Sequence, residues 1–133
     1  MIVGVADTHA IIWYLSAEPR LSLQAKKFID TAADNNDEIA VSAITLVELV
    51  YLIEKGRIPA QRFSQLTDEL ADPASVFIET PVDLKIARAL SKVRVEQVPD
   101  MPDRIIAATA VHFGVPVISR DAKIKLSTVD TIW

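Results

Sequence analysis

The sequence predicts an α/β domain whose sheet is largely parallel and has helices on both faces. Short apolar segments that fit buried strands alternate with longer segments whose apolar residues recur at helical spacing. Helices of this length between strands imply crossover connections, which join parallel strands. Half of the 133 residues are hydrophobic, which suffices for one core, and the chain is too short for two domains. We therefore expect residues 1–133 to form a single domain.

The first half of the chain opens with an apolar strand over residues 2–6. Asp7 follows this strand at once and introduces a short apolar helix that reaches Leu15. The other predicted elements of this half are an amphipathic helix from Ser22, a turn over 34–37, a strand over 39–41, and a helix that Ser42 caps and that runs to Lys55, with Gly56 just past its end.

The second half continues the same alternation. Its predicted elements are a helix opened by Pro59 with Phe63, Leu66 and Leu70 on one face, a strand over 76–79, a helix through Leu90 that the segment 80–83 introduces as a capping box with Pro81 first, a helix over 100–112, a strand over 115–118 and an edge strand over 131–133. Asp100 suits the N-cap of the helix over 100–112, and Gly114 suits its end.

The composition removes several classes of function. There is no cysteine, which excludes disulfide scaffolds, thiolate metal sites and cysteine nucleophiles. The three glycines are far apart, so no phosphate-binding glycine loop can form. The apolar run at 2–6 is far shorter than a signal-peptide core or a membrane span, and we expect a cytoplasmic protein with no membrane partner.

The net charge of −4 argues at first sight against a nucleic-acid partner, because phosphate binding usually leaves a basic footprint. Two bound divalent cations would neutralise that charge and invert the field at the site itself. An acidic chain can therefore still act on nucleic acid if it binds metal.

Carboxylates are the reactive groups that remain in quantity. Asp7 and Asp121 follow predicted parallel strands, and Asp103 lies in the first turn of a helix, so the three can meet at the carboxyl edge of the sheet. The alternative for each one alone is an ordinary helix cap. Glu48 interrupts a helix that is otherwise apolar nearly all round and has no basic neighbour there, so it is either a metal ligand or an exposed residue on a solvent stripe.

Four carboxylates at one edge would repel each other strongly unless a cation neutralised them. Hard divalent cations with oxygen ligands, Mg²⁺ or Mn²⁺, do so. Such clusters support phosphodiester hydrolysis, because one metal lowers the pKa of a water to make the nucleophile and another stabilises the leaving oxygen.

Several polar residues near these carboxylates are weaker candidates. Thr45 and Ser119 suit positions behind the ligands, and Arg104 and Arg120 suit contacts with substrate phosphate, although each arginine can also be a solvated surface charge. His9 is two residues from Asp7 and is either a substrate or metal contact or an ordinary neighbour. We interpret His112, in the last turn of its helix, as structural.

Four segments occur in order along the chain: Asp7-Thr8-His9-Ala10 after the first strand, Ser42-x-x-Thr45-x-x-Glu48 at a helix start, Asp103-Arg104-Ile105-Ile106-Ala107-Ala108-Thr109-Ala110, and Ser119-Arg120-Asp121. With these spacings the chain resembles the PIN-domain ribonucleases, specifically the VapC-type toxins of prokaryotic toxin–antitoxin pairs. The resemblance covers essentially the whole chain, including its length and its Ile-Trp ending.

The resemblance implies a three-layer α/β/α sandwich and a Mg²⁺- or Mn²⁺-dependent endoribonuclease with Asp7, Glu48, Asp103 and Asp121 as its acidic cluster. It also implies a homodimer that an antitoxin protein holds inactive. The chain departs from the family pattern at Pro102, where an aromatic residue often precedes the aspartate equivalent to Asp103. Asp100 is therefore a second candidate for the metal role of Asp103.

Two other readings stay open from the sequence. Asp7 lies where an aspartyl-phosphate phosphotransferase would have its nucleophile, but 8–10 supply no second close acid. A non-catalytic binding module that kept the fold is the other, and the presence of all four acidic positions argues against it.

The helix between Ser42 and Lys55 predicts an interface. Its apolar residues circle nearly the whole axis, although only one stripe can face the sheet. We expect a second copy or an amphipathic antitoxin segment to pack on this helix and the Phe63, Leu66 and Leu70 face of the next one, near Glu48. The alternative is that the helical hairpin lies flat on the sheet and hides both faces.

Overall fold

The computed structural model describes residues 1–125, 127 and 129–133. In this part of the chain five strands alternate with seven helices. The strands are β1 (Ile2–Ala6), β2 (Glu38–Ser42), β3 (Phe77–Thr80), β4 (Val117–Ile118) and β5 (Thr131–Ile132). The helices are α1 (Thr8–Leu15), α2 (Leu23–Asp34), α3 (Ala43–Glu54), α4 (Gln61–Ala71), α5 (Leu84–Leu90), α6 (Met101–Phe113) and α7 (Ala122–Lys125).

The five strands form one parallel sheet in the order β3-β2-β1-β4-β5. β1 lies at the centre, with Val5 in register with Ala40 of β2 and with Val117 of β4. All carboxyl ends therefore open on one edge of the sheet, and β1 and β4 end side by side there. The predicted parallel sheet is confirmed.

Helices cover both faces of the sheet, as the sequence predicts. Successive strand residues point to opposite faces, so Ala6 and Val5 belong to two separate cores. The core around Ala6 includes α1, α2, α3 and α4, and the core around Val5 includes α5 and α6. Ile11 and Ile106, at the centres of the two cores, are fully buried. The three-layer α/β/α arrangement is confirmed.

Three predicted boundaries are wrong by a few residues. β4 begins at Val117 and not at residue 115, although the carbonyl of Pro116 still accepts the Val5 N–H at 3.0 Å. α5 begins at Leu84 and not at Pro81, because the Asp83 side chain caps the N–H groups of Lys85 and Ile86. α4 begins two residues after Pro59.

The helical hairpin of α3 and α4 is only partly covered. Leu66 of α4 is buried, and Phe63 and Leu70 pack against the core, so the predicted apolar face of α4 belongs to the domain itself. On α3, by contrast, Val47 and Tyr51 are 63% and 55% exposed. The apolar surface that the domain leaves exposed on this hairpin is the outer side of α3.

No helix in the described ranges combines the length and the apolar character required to cross a membrane.

Candidate active site

An open cleft of about 340 Å³ lies at the carboxyl ends of β1 and β4. It collects side chains from β1, α1, α3, α6 and the segment after β4. Its lining residues are Asp7, Thr8, His9, Trp13, Arg20, Glu48, Asp100, Asp103, Arg120 and Asp121. The structure therefore brings together the four carboxylates singled out in the sequence, and Asp100 with them.

Asp7 ends the central strand and caps the first helix. Its N–H donates to the carbonyl of Ile118 at 3.1 Å, which continues the β1–β4 ladder, and its Oδ1 accepts the N–H of Ala10 at 2.8 Å. The side chain is only 8% exposed. Burial raises the pKa of this carboxyl, against hydrogen bonds from Ser119 and Ala10 that lower it. Asp7 is thus both a helix cap and a cleft residue.

Asp121, in the segment after β4, and Asp103, in the first turn of α6, both line the cleft. Burial, and then the charges of Asp121 and Asp100, raise the pKa of Asp103 from 3.8 to about 7. Without a cation, one proton shared between two crowded carboxylates relieves part of their repulsion.

Ser119 holds the loop that carries Asp121. The Ser119 side chain is fully buried, and its Oγ accepts the N–H of Asp121 at 2.9 Å. Asp121 Oδ1 in turn accepts the N–H of Lys123 at 2.8 Å. The Ser119 hydroxyl also lowers the pKa of Asp7, so it influences both aspartates that follow neighbouring strands.

Glu48 reaches the cleft from α3 and is half-buried, so it does not lie on an exposed stripe of that helix. Its Oε1 accepts a hydrogen bond from the hydroxyl of Thr8, which lies 3.2 Å from the hydroxyl of Thr45. Thr8 and Thr45 are both buried. Two threonines, one from each helix, thus orient the carboxylate that no basic residue of α3 can offset.

Asp100 and Asp103 both line the cleft, in different ways. Asp100 is exposed and caps α6, where its Oδ1 accepts the N–H of Asp103 at 3.1 Å. Asp103 is half-buried and lies in the first turn of α6, closer to Asp121. Burial raises the pKa of Asp103, and the charges of Asp121 and Glu48 raise it further.

An arginine–tryptophan cluster forms part of the rim of the cleft. The guanidinium groups of Arg20 and Arg120 lie 4.8 Å and 4.6 Å from the ring centre of Trp13. Such cation–π contacts hold an arginine in place without neutralising its charge. His9 packs on the same ring, 5.5 Å away.

Sequence reasoning missed Trp13 and Arg20. Trp13 lies four residues after His9 on α1, so its side of the helix could have been identified from spacing. Arg20 is in the loop between α1 and α2, where no periodicity predicts a direction.

Two residues considered in the sequence lie elsewhere. Arg104 does not line the cleft: its guanidinium donates to the carbonyls of Val93 and Leu90 at 2.9 Å and 3.1 Å, because the end of α5 lies beside the start of α6. Its predicted contact with substrate phosphate stays a prediction. His112 is exposed at the far end of α6 and packs on Phe113.

The donor chemistry of the cleft suits a hard cation, since its potential ligands are carboxylate oxygens. Among the described residues, no three acidic or imidazole side chains already surround one point at ligand distances. The raised pKa values of Asp7 and Asp103 nevertheless report an excess of negative charge and burial, which a divalent cation would offset. The residues present fit such an ion.

Comparison with known proteins gives consistent results. The model of the PIN domain family matches residues 5–129. Ribonuclease VapC22 of Mycobacterium tuberculosis (strain ATCC 25618 / H37Rv) is 34% identical over 128 residues, which cover 94% of this chain and 92% of that protein.

Solved structures share the fold. DNA-bound VapBC from Salmonella typhimurium matches with a TM-score of 0.72 at 18% identity, over 98% of this chain and 97% of that one. VapBC2 from Rickettsia felis, bound to a DNA fragment from its promoter, matches with a TM-score of 0.71 at 20% identity, again over 98% and 97%. The family model spans nearly the whole length, and the chain belongs to the PIN-domain family.

Proposed function

We propose that this protein is a divalent-metal-dependent endoribonuclease, a hydrolase of RNA phosphodiester bonds, and the toxin component of a toxin–antitoxin pair. The observation that carries the proposal is the meeting of Asp7, Glu48, Asp103 and Asp121 in one cleft at the end of the central strands. Membership of the PIN-domain family and the ribonuclease VapC22 as a relative support it. We propose that residues 1–133 act as a single domain.

We assign the metal to Asp7, Asp103 and Asp121, with Glu48 and Asp100 as the next candidates. The ion would be Mg²⁺ or Mn²⁺, since both prefer oxygen ligands. When bound, such an ion lowers the pKa of a water and stabilises the charge that develops on the leaving oxygen. Gathering carboxylates for it is costly, and the raised pKa of Asp103 reflects that cost.

The other cleft residues would orient the ligands and the substrate. Thr8 and Thr45 fix Glu48, and Ser119 fixes Asp121 and influences Asp7. Arg120, whose guanidinium packs on Trp13 at the rim, would bind a substrate phosphate. Arg20 shares this position, and His9 lies close enough to contact the RNA.

The test is incubation of the purified protein with a mixed RNA pool in Mg²⁺, in Mn²⁺ and in chelator. We expect cleavage with either metal and none with chelator. Asp7→Asn and Asp121→Asn should each abolish cleavage while the fold is kept, because they remove ligands and also relieve repulsion in the metal-free protein. Cleavage that persists in chelator, or in either variant, would refute the proposal, and metal-independent RNA binding without cleavage would favour a non-catalytic module.

We also propose a homodimer and an inhibitory antitoxin protein as partners, in the cytoplasm, where the RNA substrate is found. A solved structure with the same fold is a toxin–antitoxin complex from Klebsiella pneumoniae, and the exposed apolar side of α3 supports a protein interface. Sedimentation of the wild type should give a dimer, and Val47→Lys with Tyr51→Lys should give a monomer. A matched change on the exposed side of α4, Gln65→Lys with Asp68→Lys, should leave the dimer intact; a monomeric wild type would contradict the assignment.

A further inference from the structure

A basic segment that includes α5 lies outside the cleft and packs against α6. Residues 84–94 contain Lys85, Arg88, Lys92 and Arg94, four of the 14 Lys and Arg residues, and no acid. The chain as a whole carries −4. A local charge of opposite sign to the total marks a surface with its own electrostatic partner.

Three of these side chains line one shallow depression between α5 and α6. Lys85, Arg88 and Lys92 surround it together with His112, and its volume is about 310 Å³. Lys85 and Arg88 are three residues apart, so they lie on one side of α5, and Lys92 follows in the next turn of the chain. We call these three side chains the basic stripe.

The basic stripe is free to bind an anion. Lys85, Arg88 and Lys92 are all exposed. Within the described residues, the ion pairs involve other groups, and the only one in this segment joins Arg94 to Glu96. None of the described residues that line the depression is a carboxylate.

The basic stripe lies beside the helix that carries one of the cleft carboxylates. Arg104 donates to the carbonyls of Leu90 and Val93, which ties the end of α5 to the first turn of α6. That turn also carries Asp103, one of the cleft carboxylates. The depression that the basic stripe lines lies beside Val111 and His112, about 13 Å along α6 from Asp103.

We propose that the basic stripe binds the phosphate backbone of the RNA strand where it continues beyond the cleft. This inference rests on the proposed function, because it takes the cleft as the place where the strand is cut. Lys and Arg contacts with phosphate add affinity without base specificity, and each one releases condensed counterions. The basic stripe would let a protein of net negative charge bind RNA, while the acidic cleft binds the metal.

The experiment measures binding, so that it does not depend on cleavage. A fluorescent single-stranded RNA of about 20 nucleotides is titrated with protein in chelator at several salt concentrations, and anisotropy gives the dissociation constant. For Lys85→Gln/Arg88→Gln/Lys92→Gln we expect roughly ten- to hundredfold weaker binding at low salt. When the logarithm of the association constant is plotted against the logarithm of the salt concentration, the slope should become shallower by about 2, at about 0.7 per phosphate contact. Each single substitution should make this slope shallower by about 0.7.

A matched control separates this surface from net charge. Lys27→Gln/Lys55→Gln/Arg57→Gln removes three charges at exposed positions on α2 and after α3, and it should bind RNA nearly as the wild type does. Equal weakening by both triple variants, or no change in the stripe variant, would overturn the inference.

Cleavage kinetics then distinguish this inference from the proposed function. The stripe variant should lose activity on the long RNA and keep it on a trinucleotide, whose phosphates the cleft takes up. Loss of trinucleotide cleavage in the stripe variant would contradict a role outside the cleft. If the wild type cuts neither RNA and binding still depends on the stripe, the nuclease proposal fails and the binding surface stands.

Discussion

Replacing Asp103 with Asn should make the metal-free protein more stable at neutral and alkaline pH. In the folded protein the pKa of Asp103 is raised to about 7 from 3.8, by burial and then by the charges of Asp121 and Asp100. Between these two values the folded state binds a proton that the unfolded state has lost. The bound proton stabilises the folded protein. This contribution to the free energy of unfolding is fully present below pH 3.8 and is lost as the pH rises to about 7.

The size of the effect follows from the two pKa values. Between pH 5 and pH 8 the wild type should lose at most about 3 kcal/mol through Asp103, at 1.36 kcal/mol per pH unit. Because the side chain is only half-buried and solvent screens part of the repulsion, we expect a loss of about 1–2 kcal/mol. Asp103→Asn has no such titration, so its advantage over the wild type should grow by this amount from pH 5 to pH 8.

The assay is urea unfolding in chelator at pH 5, 6, 7 and 8, for the wild type and Asp103→Asn. Asp68→Asn is the matched control, because Asp68 is exposed on α4 and does not line the cleft. If Asp103→Asn is no more stable than the wild type at pH 8, the pKa of Asp103 is not raised in the folded protein. A difference in stability between the two proteins that does not depend on pH would contradict the raised pKa equally.

Two further predictions concern the side chains that orient the cleft. Thr8→Val should cost about 1–3 kcal/mol of stability by urea unfolding, because the buried hydroxyl that binds Glu48 and contacts Thr45 is lost; a change below about 0.5 kcal/mol would contradict those bonds. Trp13→Leu should raise KM for RNA several-fold with a smaller change in kcat, since Arg20 and Arg120 lose the ring that holds them. An unchanged KM would show that the rim does not bind substrate.

The sequence predicted the fold because its local patterns agree with its tertiary structure. β1 and β2 are continuous apolar runs, as buried parallel strands should be. α6 begins at an Asp100 cap and ends at Gly114 in a left-handed conformation with φ 67°. Errors occurred where a boundary depends on one side chain, as at Asp83, whose cap delays the start of α5.

The approximate place of the cleft was also predictable, since parallel strands end on one edge and Asp7 and Asp121 follow two of them. What holds Glu48 was not, because its partner Thr8 is 40 residues away in the chain. The orientation of the Arg104 side chain could not be predicted from the sequence either, because it depends on the carbonyls of Leu90 and Val93 at and after the end of α5. Residue spacing fixes which side of a helix a group lies on, and packing decides what it contacts.

We propose that the acidic cleft hydrolyses RNA with a metal-activated water. The chemical nature of the product ends distinguishes this mechanism from attack by the ribose 2′-hydroxyl. Water as the nucleophile leaves a 5′-phosphate and a 3′-hydroxyl and does not use the ribose 2′-hydroxyl. The ends of RNA cut by the wild type in Mg²⁺ can be identified by mass spectrometry, with Asp7→Asn as the control that should give no product. We predict 5′-phosphate and 3′-hydroxyl ends, and 2′,3′-cyclic phosphate ends would contradict the account.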